Sequence, residues 1–220
     1  MPSRVSISVE RLPVWQDKVY IVRSMQPKLL IATTNDGKIA EFRFLLRSLP
    51  FKLTTPSEEG KVLQVEETGL TFKDNAVIKA SAYAAEFGMM ALADDSGIQV
   101  EALGGRPGVY SARYGGEHLT DEGRVELLLQ EMKAVPWEKR AAAFRAVIAV
   151  AWPDGRILTR EGIMNGTVNL APVGGNGFGY DPIFYLSEYK ATTAQLTSEQ
   201  KNLLSHRGKA AEGIVKALLS

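Results

Sequence analysis

The amino-acid sequence predicts an α/β fold built on a mixed sheet, and three observations support this. Short apolar runs that are typical of buried strands alternate with amphipathic helical segments in the first half of the chain. The middle of the chain has the pattern of a long antiparallel hairpin, and helical segments follow near its end. With 220 residues, the chain is long enough to bury a sizeable core in one domain.

The first predicted unit is a strand, a turn and a helix. An apolar run predicts a buried strand over 28–35, and apolar residues at helical spacing predict a helix over 37–49. Thr34 or Asn35 is a suitable N-cap for that helix. Residues 51–55 predict a second strand.

A longer helix is predicted over 71–88, and Gly88 is suited to end it. The apolar run over 89–94 predicts a further buried strand, which stops at two neighbouring acids, Asp94 and Asp95. A threonine followed by acidic residues predicts the start of another helix over 120–132.

The remainder of the chain is predicted to return to strands and then to helices. A hairpin is predicted over 140–168, with its turn at Pro153-Asp154-Gly155. A glycine-rich loop over 174–185 runs into a strand, and one or two helices are predicted over 198–219.

Composition excludes several classes of protein. The chain has no cysteine, so disulfides, thiolate chemistry and cysteine-ligated zinc are excluded. Its formal net charge of +1 gives no electrostatic footprint for nucleic acid. No apolar run approaches the roughly 18 residues of a membrane span, so no membrane partner is expected.

Residues 1–27 are predicted to be an extension that precedes a single domain over 28–220. The extension lacks the apolar core of a signal peptide, and its Glu10 and Asp17 are not typical of a transit peptide. It contains a candidate strand over Lys18–Val22. These features, with the absence of cysteine, lead us to expect a cytoplasmic protein.

The first candidate binding segment lies where the first strand meets the first helix. In α/β sheets, ligands collect at the carboxyl ends of strands and at helix N-termini. Small polar side chains would let backbone N–H groups approach a phosphate, and a lysine adds a positive charge. A P-loop spacing is absent, and an ordinary capped turn with a solvated lysine is the alternative. The segment consists of Thr33, Thr34, Asn35, Asp36, Gly37 and Lys38.

The neighbouring acids Asp94 and Asp95 form a candidate metal site, followed by Ser96. Two adjacent carboxylates repel each other, and burial adds a large cost for each charge unless a positive partner is present. Mg²⁺ would relieve this repulsion, since it suits one or two carboxylates plus water and substrate phosphates. Glu66 and Glu67 are a second acidic pair. The alternative is that one aspartate caps a turn, the other is solvated, and the glutamates are surface charges.

A glycine-rich segment supplies a candidate base-binding loop: Phe178, Gly179, Tyr180 and Asp181. An aromatic ring there could stack on a base, and the carboxylate could hydrogen-bond to it. The alternative is a tight turn whose two aromatic rings pack in the core.

A basic pair, His206 and Arg207, is a further candidate for ligand binding, with a surface or capping role as the alternative. Lys79 and Lys201, taken alone, are expected to be solvated surface lysines.

The order of these segments is more specific than any one of them. The chain contains, in order, T-x-N-x-x-K, E-E-T-G-x-T-F-x-x-N-A, A-D-D-S-G, G-G-x-P-G-V-Y-S-A-R-Y, G-F-G-Y-D-P and S-H-R-G. In this it closely resembles the inosine triphosphate pyrophosphatase family, also called XTP/dITP diphosphatases. The likeness extends from about Lys28 to the C-terminus.

The resemblance implies a function, a cofactor and an architecture. The family hydrolyses non-standard purine nucleoside triphosphates, such as ITP, dITP and XTP, to the monophosphate and pyrophosphate. It requires Mg²⁺ and is usually homodimeric. Its fold is an elongated mixed sheet flanked by helices, with two lobes and the substrate in a central cleft.

The resemblance also assigns roles to residues. Asp95 matches the family's general base, also described as a metal ligand, and Lys79 matches a lysine of the catalytic cluster. Glu66 or Glu67, with Asp94, match acids of the metal site.

Other matched positions would bind the nucleotide. Thr33 to Lys38 match the phosphate-binding loop and Ser96 matches a substrate contact. Phe178 to Asp181, Lys201, His206 and Arg207 match groups around the nucleotide. Thr34 departs from the glycine that is common in this loop.

Three other functions compete with this interpretation. A pyrophosphatase for a pyrimidine or another modified nucleotide would share the chemistry and differ in the base pocket. A non-catalytic nucleotide sensor could lack an acid or a lysine, and here all are present. A nucleic-acid-binding protein that uses the arginine-containing N-terminal stretch is disfavoured by the near-zero net charge.

Overall fold

The computed structural model describes residues 26–220, which form a seven-stranded mixed sheet flanked by helices. The strands are β1 (Lys28–Ile31), β2 (Lys52–Thr54), β3 (Met90–Val100), β4 (Ala141–Ala151), β5 (Ile157–Val168), β6 (Phe184–Leu186) and β7 (Ala191–Thr192). The α-helices are α1 (Asp36–Leu45), α2 (Phe72–Phe87), α3 (Asp121–Glu131), α4 (Ser198–Leu204) and α5 (His206–Leu219). The predicted fold class is confirmed. The candidate strand over Lys18–Val22 lies outside the described residues, and the division near residue 27 stays a prediction.

The sheet has the strand order β2-β1-β3-β4-β5-β6-β7. β1 is parallel to both β2 and β3, and every later pair is antiparallel. Within residues 26–220, none of the helices combines the length and apolar character needed to span a bilayer.

Local signals set the helix ends close to their predicted positions. The Asn35 side chain accepts a hydrogen bond from the backbone N–H of Lys38 at 2.9 Å, so Asn35, and not Thr34, caps α1. Thr71 caps α2 in the same way, and Gly88 ends that helix in the left-handed conformation, with φ of 59°. The first helix is shorter than predicted, since it ends at Leu45.

The predicted end of the third strand is wrong. β3 continues through Asp94 and Asp95 to Val100, because β4 pairs with it without interruption from Ala91 to Val100. The partner β1 is much shorter and pairs only as far as Leu92 of β3. The two acids therefore lie in the middle of β3, just beyond the point where β1 ends.

Strands near the centre of the sheet are buried on both faces. Leu29 and Ile31 of β1 pack in a core cluster with residues of α1 and α5, whereas the intervening Leu30 packs in a cluster with α2. Side chains alternate between faces along a strand, so the same division applies to β3. Asp94 therefore points toward α1 and α5, and Asp95 points toward α2.

The hairpin is confirmed, and its second strand supports the start of α5. β4 and β5 pair along their whole length, and the turn includes Gly155 at a positive φ of 88°. A Cβ atom added at Gly162 of β5 would lie 2.0 Å from the backbone oxygen of His206. The absence of a side chain at Gly162 thus lets the first turn of α5 lie directly on the sheet.

Candidate active site

A cavity of about 350 Å³ brings together most of the residues predicted from the sequence. This volume lies in the ordinary range for small-molecule sites. The predicted residues in its lining are Asn35, Lys38, Glu67, Lys79, Asp95, Ser96, Phe178, Gly179, Tyr180, Asp181, Lys201, His206 and Arg207. The predicted residues outside its lining are Thr33, Thr34, Asp36, Gly37, Glu66 and Asp94.

Asp94 is neutralised by cations of the chain itself. Its side chain is fully buried, 2.9 Å from Lys38 Nζ and 3.0 Å from Arg207 Nε. The Ser96 hydroxyl donates a third contact at 2.9 Å. Burial acts to raise the pKa of Asp94, but the charges of Lys38 and Arg207 outweigh it and hold the pKa far below its ordinary range. The interpretation of Lys38 as a solvated lysine is therefore wrong.

Asp95 lies on the opposite face of β3 and has different partners. Its Oδ2 accepts a hydrogen bond from Asn75 Nδ2 at 3.0 Å, and its Oδ1 lies 3.8 Å from Lys79 Nζ. Burial raises the pKa of Asp95, the nearby charge of Glu67 adds to this, and Lys79 opposes it. The expectation that both acids share one cation is corrected here, because strand alternation separates their side chains.

Of the four acids in the cavity lining, which include Asp121 and Asp181, Glu67 and Asp95 share Lys79 as a neighbour. Lys79 bridges them, with its Nζ 2.9 Å from Glu67 Oε1. The Lys79 side chain is only 14% exposed, so its interpretation as a solvated surface lysine is wrong. Glu66, by contrast, is exposed and outside the cavity lining.

These two carboxylates suit Mg²⁺, which prefers oxygen ligands and is commonly held by one or two carboxylates. Among residues 26–220, no group of three or more histidine, aspartate or glutamate side chains is arranged to hold a metal ion. An ion at Glu67 and Asp95 would thus take its remaining ligands from water and from substrate phosphates.

A second buried network ties the helices to the glycine-rich loop. Glu41 of α1 lies 2.7 Å from Arg207 Nη1 and 2.9 Å from Lys201 Nζ. Lys201 also pairs with Asp181. Its side chain is 7% exposed, so the prediction of a solvated lysine is wrong here as well.

The glycine-rich loop separates its two aromatic rings. Phe178 lies under the cations of Lys201 and Arg207, at 4.6 Å and 5.2 Å from the ring centroid. Tyr180 is buried, and its hydroxyl donates to the backbone oxygen of Ser111 at 3.0 Å. Tyr180 is thus a core residue, which leaves Phe178 as the ring that is positioned to meet a ligand.

Asp181 is already occupied by protein donors. Its carboxylate accepts hydrogen bonds from the backbone N–H of Phe178 and from the Thr193 hydroxyl, at 2.9 Å and 2.8 Å, in addition to the pair with Lys201. This arrangement fixes the shape of the loop.

His206 begins α5 and faces the cavity as a neutral side chain. It is 4% exposed, and its ring stacks on Phe144 with centroids 4.9 Å apart. Burial lowers the pKa of His206 well below its usual value, and the charges of Arg207 and Lys201 act in the same direction. Its Nδ1 is buried and has no hydrogen-bond partner among residues 26–220.

In the Thr33–Lys38 segment, Gly37 has a role that its sequence context does not reveal. A Cβ atom at Gly37 would lie 2.6 Å from the Phe178 ring, so the glycine makes room for that ring. Thr34 and Asp36 are exposed, while Thr33 accepts a hydrogen bond from the backbone N–H of Asn35 at 3.2 Å. Asn35 and Lys38 are the members of this segment that reach the cavity.

Several residues of the site were not singled out from the sequence. No sequence pattern pointed to a binding or catalytic role for Glu41 or Asn75, although Asn75 is the asparagine of the E-E-T-G-x-T-F-x-x-N-A motif. Asp121 and Arg124, at the start of α3, line the cavity; Asp121 was interpreted only as an acid of a helix start, and Arg124 was not interpreted at all. Their partners are distant in the sequence, which is why local patterns did not identify them.

The family assignment follows from a match over nearly all of the described chain. Residues 29–217 match the Ham1 family. The chain belongs to the Ham1 family. This confirms the resemblance that the ordered motifs predicted, since curated relatives of the chain are named dITP/XTP pyrophosphatases.

Two of these Ham1 relatives cover most of the chain. The dITP/XTP pyrophosphatase of Geobacter sulfurreducens is 49% identical over 183 residues, which are 83% of this chain and 92% of the relative. The dITP/XTP pyrophosphatase of Bacillus subtilis is 44% identical over 189 residues, 86% of this chain and 96% of the relative.

Solved Ham1 structures share the fold. The HAM1 protein of Coxiella burnetii is 40% identical, with a TM-score of 0.80 over 88% of this chain and 98% of that protein. The Ham1 protein of Staphylococcus aureus is also 40% identical, with a TM-score of 0.78 over 87% of this chain and 98% of that protein.

The lowered pKa of His206 predicts a pH-dependent stability. Because the folded state excludes a proton that the unfolded state binds, the free energy of unfolding should decrease as the pH falls below about 6.5, by up to about 1.4 kcal/mol per pH unit. The measurement is urea unfolding at a series of pH values from about 5 to about 8, which gives the slope of the free energy of unfolding against pH. The His206→Asn variant should lose this contribution, and the exposed His118→Asn should retain it. An unchanged slope in His206→Asn would contradict the prediction.

Proposed function

We propose that this chain hydrolyses non-standard purine nucleoside triphosphates, namely dITP, XTP and ITP, to the monophosphate and pyrophosphate, and so removes them from the nucleotide pool. Two relatives named dITP/XTP pyrophosphatases, 49% and 48% identical, support this substrate class. The geometry supports it independently through one observation. A single cavity is lined by acidic and basic side chains together with aromatic rings and a buried neutral histidine.

The acid side of the cavity is suited to activate water. Asp95 is buried in the cavity lining, where its carboxylate can accept a proton from a water molecule. In the proposed step, Asp95 orients a water molecule and takes its proton at a carboxylate oxygen. The water oxygen bonds to the α-phosphorus as the bond from that phosphorus to the bridging oxygen of pyrophosphate breaks. Asn75 keeps the carboxylate in place through its hydrogen bond.

Positive charge in the cavity is suited to the triphosphate. Lys38 and Lys79 both line it, so their ammonium groups would stabilise charge that develops on the leaving pyrophosphate. We propose Mg²⁺ as cofactor, held by Glu67 and Asp95, where it would neutralise phosphate charge and lower the pKa of bound water.

The aromatic side of the cavity is suited to a purine base. We propose that the base stacks on Phe178 and that a donor from the 178–181 loop, His206 or Arg207 bonds its C6 carbonyl. Adenine carries an amine at C6, which would leave a buried polar group unpaired at a cost of about 1–3 kcal/mol. Selection against ATP would follow from this difference.

We also propose a cytoplasmic homodimer. The family resemblance supports the dimer. Sedimentation equilibrium should give twice the chain mass of 24.0 kDa, and a monomer at micromolar concentration would contradict it. Cell fractionation tests the location.

A nucleotide panel tests the proposed activity directly. Purified protein is assayed with dITP, XTP, ITP, GTP, ATP, dUTP and CTP, and pyrophosphate and orthophosphate are measured separately. We expect pyrophosphate release with the first three in Mg²⁺ and none in EDTA. Orthophosphate as the product would contradict the proposed reaction, and preference for a pyrimidine would contradict the proposed substrate class. Full activity in EDTA would contradict the proposed need for Mg²⁺.

The role of Asp95 is tested by its Asp95→Asn variant. The amide cannot accept the proton, so kcat should fall about 10²- to 10⁴-fold while nucleotide binding largely remains. Asp154→Asn, in the exposed hairpin turn, is the matched control and should keep the wild-type kcat. Turnover by Asp95→Asn at a near wild-type rate would contradict the assignment.

A further inference from the structure

The first turn of α3 carries a charged pair that the proposed mechanism does not use. Asp121 and Arg124 both line the cavity. Arg124 Nη1 lies 3.2 Å from Asp121 Oδ1, and Asp121 Oδ2 accepts a hydrogen bond from the backbone N–H of Gly179 at 2.9 Å. Asp121 thus holds the guanidinium of Arg124 beside the glycine-rich loop.

Within the described part of the chain, the guanidinium of Arg124 has one unsatisfied buried hydrogen-bond donor, its Nε–H. Its side chain is only 12% exposed, and its Nε is buried with no hydrogen-bond partner among residues 26–220. A buried donor without a partner is unfavourable, and more so on a charged group. A cation in the first turn of a helix is also disfavoured by the helix dipole. Two unfavourable features therefore coincide at one cavity-lining residue.

The position of Arg124 points to the nucleoside part of a substrate. Burial raises the pKa of Tyr180, and the charge of Arg124 acts against it, which is consistent with Arg124 lying beside the loop. Lys38, by contrast, pairs with Asp94 of β3, and Lys79 lies 3.8 Å from Asp95 of the same strand. Arg124 is thus associated with the loop that carries Phe178, whereas Lys38 and Lys79 are associated with the acids of β3.

We propose that Arg124 is a further substrate-binding residue, whose Nε–H donates to an uncharged acceptor oxygen on the nucleoside part of the nucleotide. A sugar hydroxyl or a purine carbonyl has the required chemistry. Asp121 is the positioning residue that orients the guanidinium. This inference rests on the proposed function, because it takes the bound molecule to be a nucleotide.

The test uses Arg124→Met and Arg124→Lys in the full chain, each checked for an intact fold by its thermal transition. Methionine removes the charge and the donors, and lysine keeps the charge near Asp121 but has no Nε–H at that position. We expect both variants to raise KM about tenfold to hundredfold, with kcat largely retained, because a hydrogen bond to a charged group is lost. The matched control is Arg156→Met, which removes an exposed arginine paired with Asp154 in the hairpin turn and should keep the wild-type KM.

Three substrates locate the acceptor. A KM increase with ITP but not with dITP would identify the 2′-hydroxyl, and an increase with XTP alone would identify the C2 carbonyl. Equal increases with all three would identify a shared acceptor, such as the 3′-hydroxyl or the C6 carbonyl. Each of these results supports the proposal.

Inorganic triphosphate, used as a competitive inhibitor, separates this role from phosphate binding. Its inhibition constant should not change in either variant. Three results would overturn the inference: an equal loss of triphosphate and nucleotide affinity, a wild-type KM in Arg124→Met, or full recovery by lysine. If the wild-type protein released no pyrophosphate from any nucleotide, the proposed function would fail first, so the two failures are distinguishable. Should Arg124→Met not fold, Arg124→Lys with inorganic triphosphate and the three nucleotides decides the question.

Discussion

Buried charges of alternating sign connect the parts of the site, and its geometry depends on them. Each such charge is costly to remove from water, so each must keep its partners in place. In this chain the partners belong to different elements, and the ion pairs therefore hold β3, α1, α4, α5 and the glycine-rich loop in one arrangement. The continuous series is Asp94, Arg207, Glu41, Lys201 and Asp181.

The adjacent acids of β3 show how one strand can serve two purposes. Asp94 points toward α1 and α5, where it is sealed from solvent and permanently charged among cations. Asp95 points toward α2, lines the cavity, and has a carboxyl group whose pKa is raised by burial. Because side chains alternate along a strand, an acid that is fixed among cations and an acid that faces the cavity can be neighbours in the sequence without sharing an environment.

Sequence patterns correctly predicted the features that depend only on neighbouring residues. The cap at Asn35, the end of α2 at Gly88 and the hairpin turn each depend on a few neighbouring residues. The length of β3 was underestimated, because its second half is held by β4, which begins about forty residues after β3 ends. Likewise, Lys201 is buried because it pairs with Glu41 and Asp181, which are distant from it in the sequence. The contact of Arg207 with Glu41, for example, spans 166 residues.

The family resemblance identified most of the cavity lining because it carries spatial information that a single pattern lacks. It did not distinguish the role of Asp94 from that of Asp95, nor did it identify Asp121 and Arg124. These distinctions depend on which face of a strand or helix a side chain occupies, and a sequence motif does not specify that face.

The close approach at Gly162 limits how this protein can diverge. Since His206 and Arg207 begin the helix that lies on this glycine, even a methyl group there would clash with the backbone of His206 and displace the first turn of α5. Substitution at Gly162 is therefore not tolerated, although this glycine lies outside the cavity lining. Exposed positions of the same strand, such as Arg160 and Glu161, can vary without this effect.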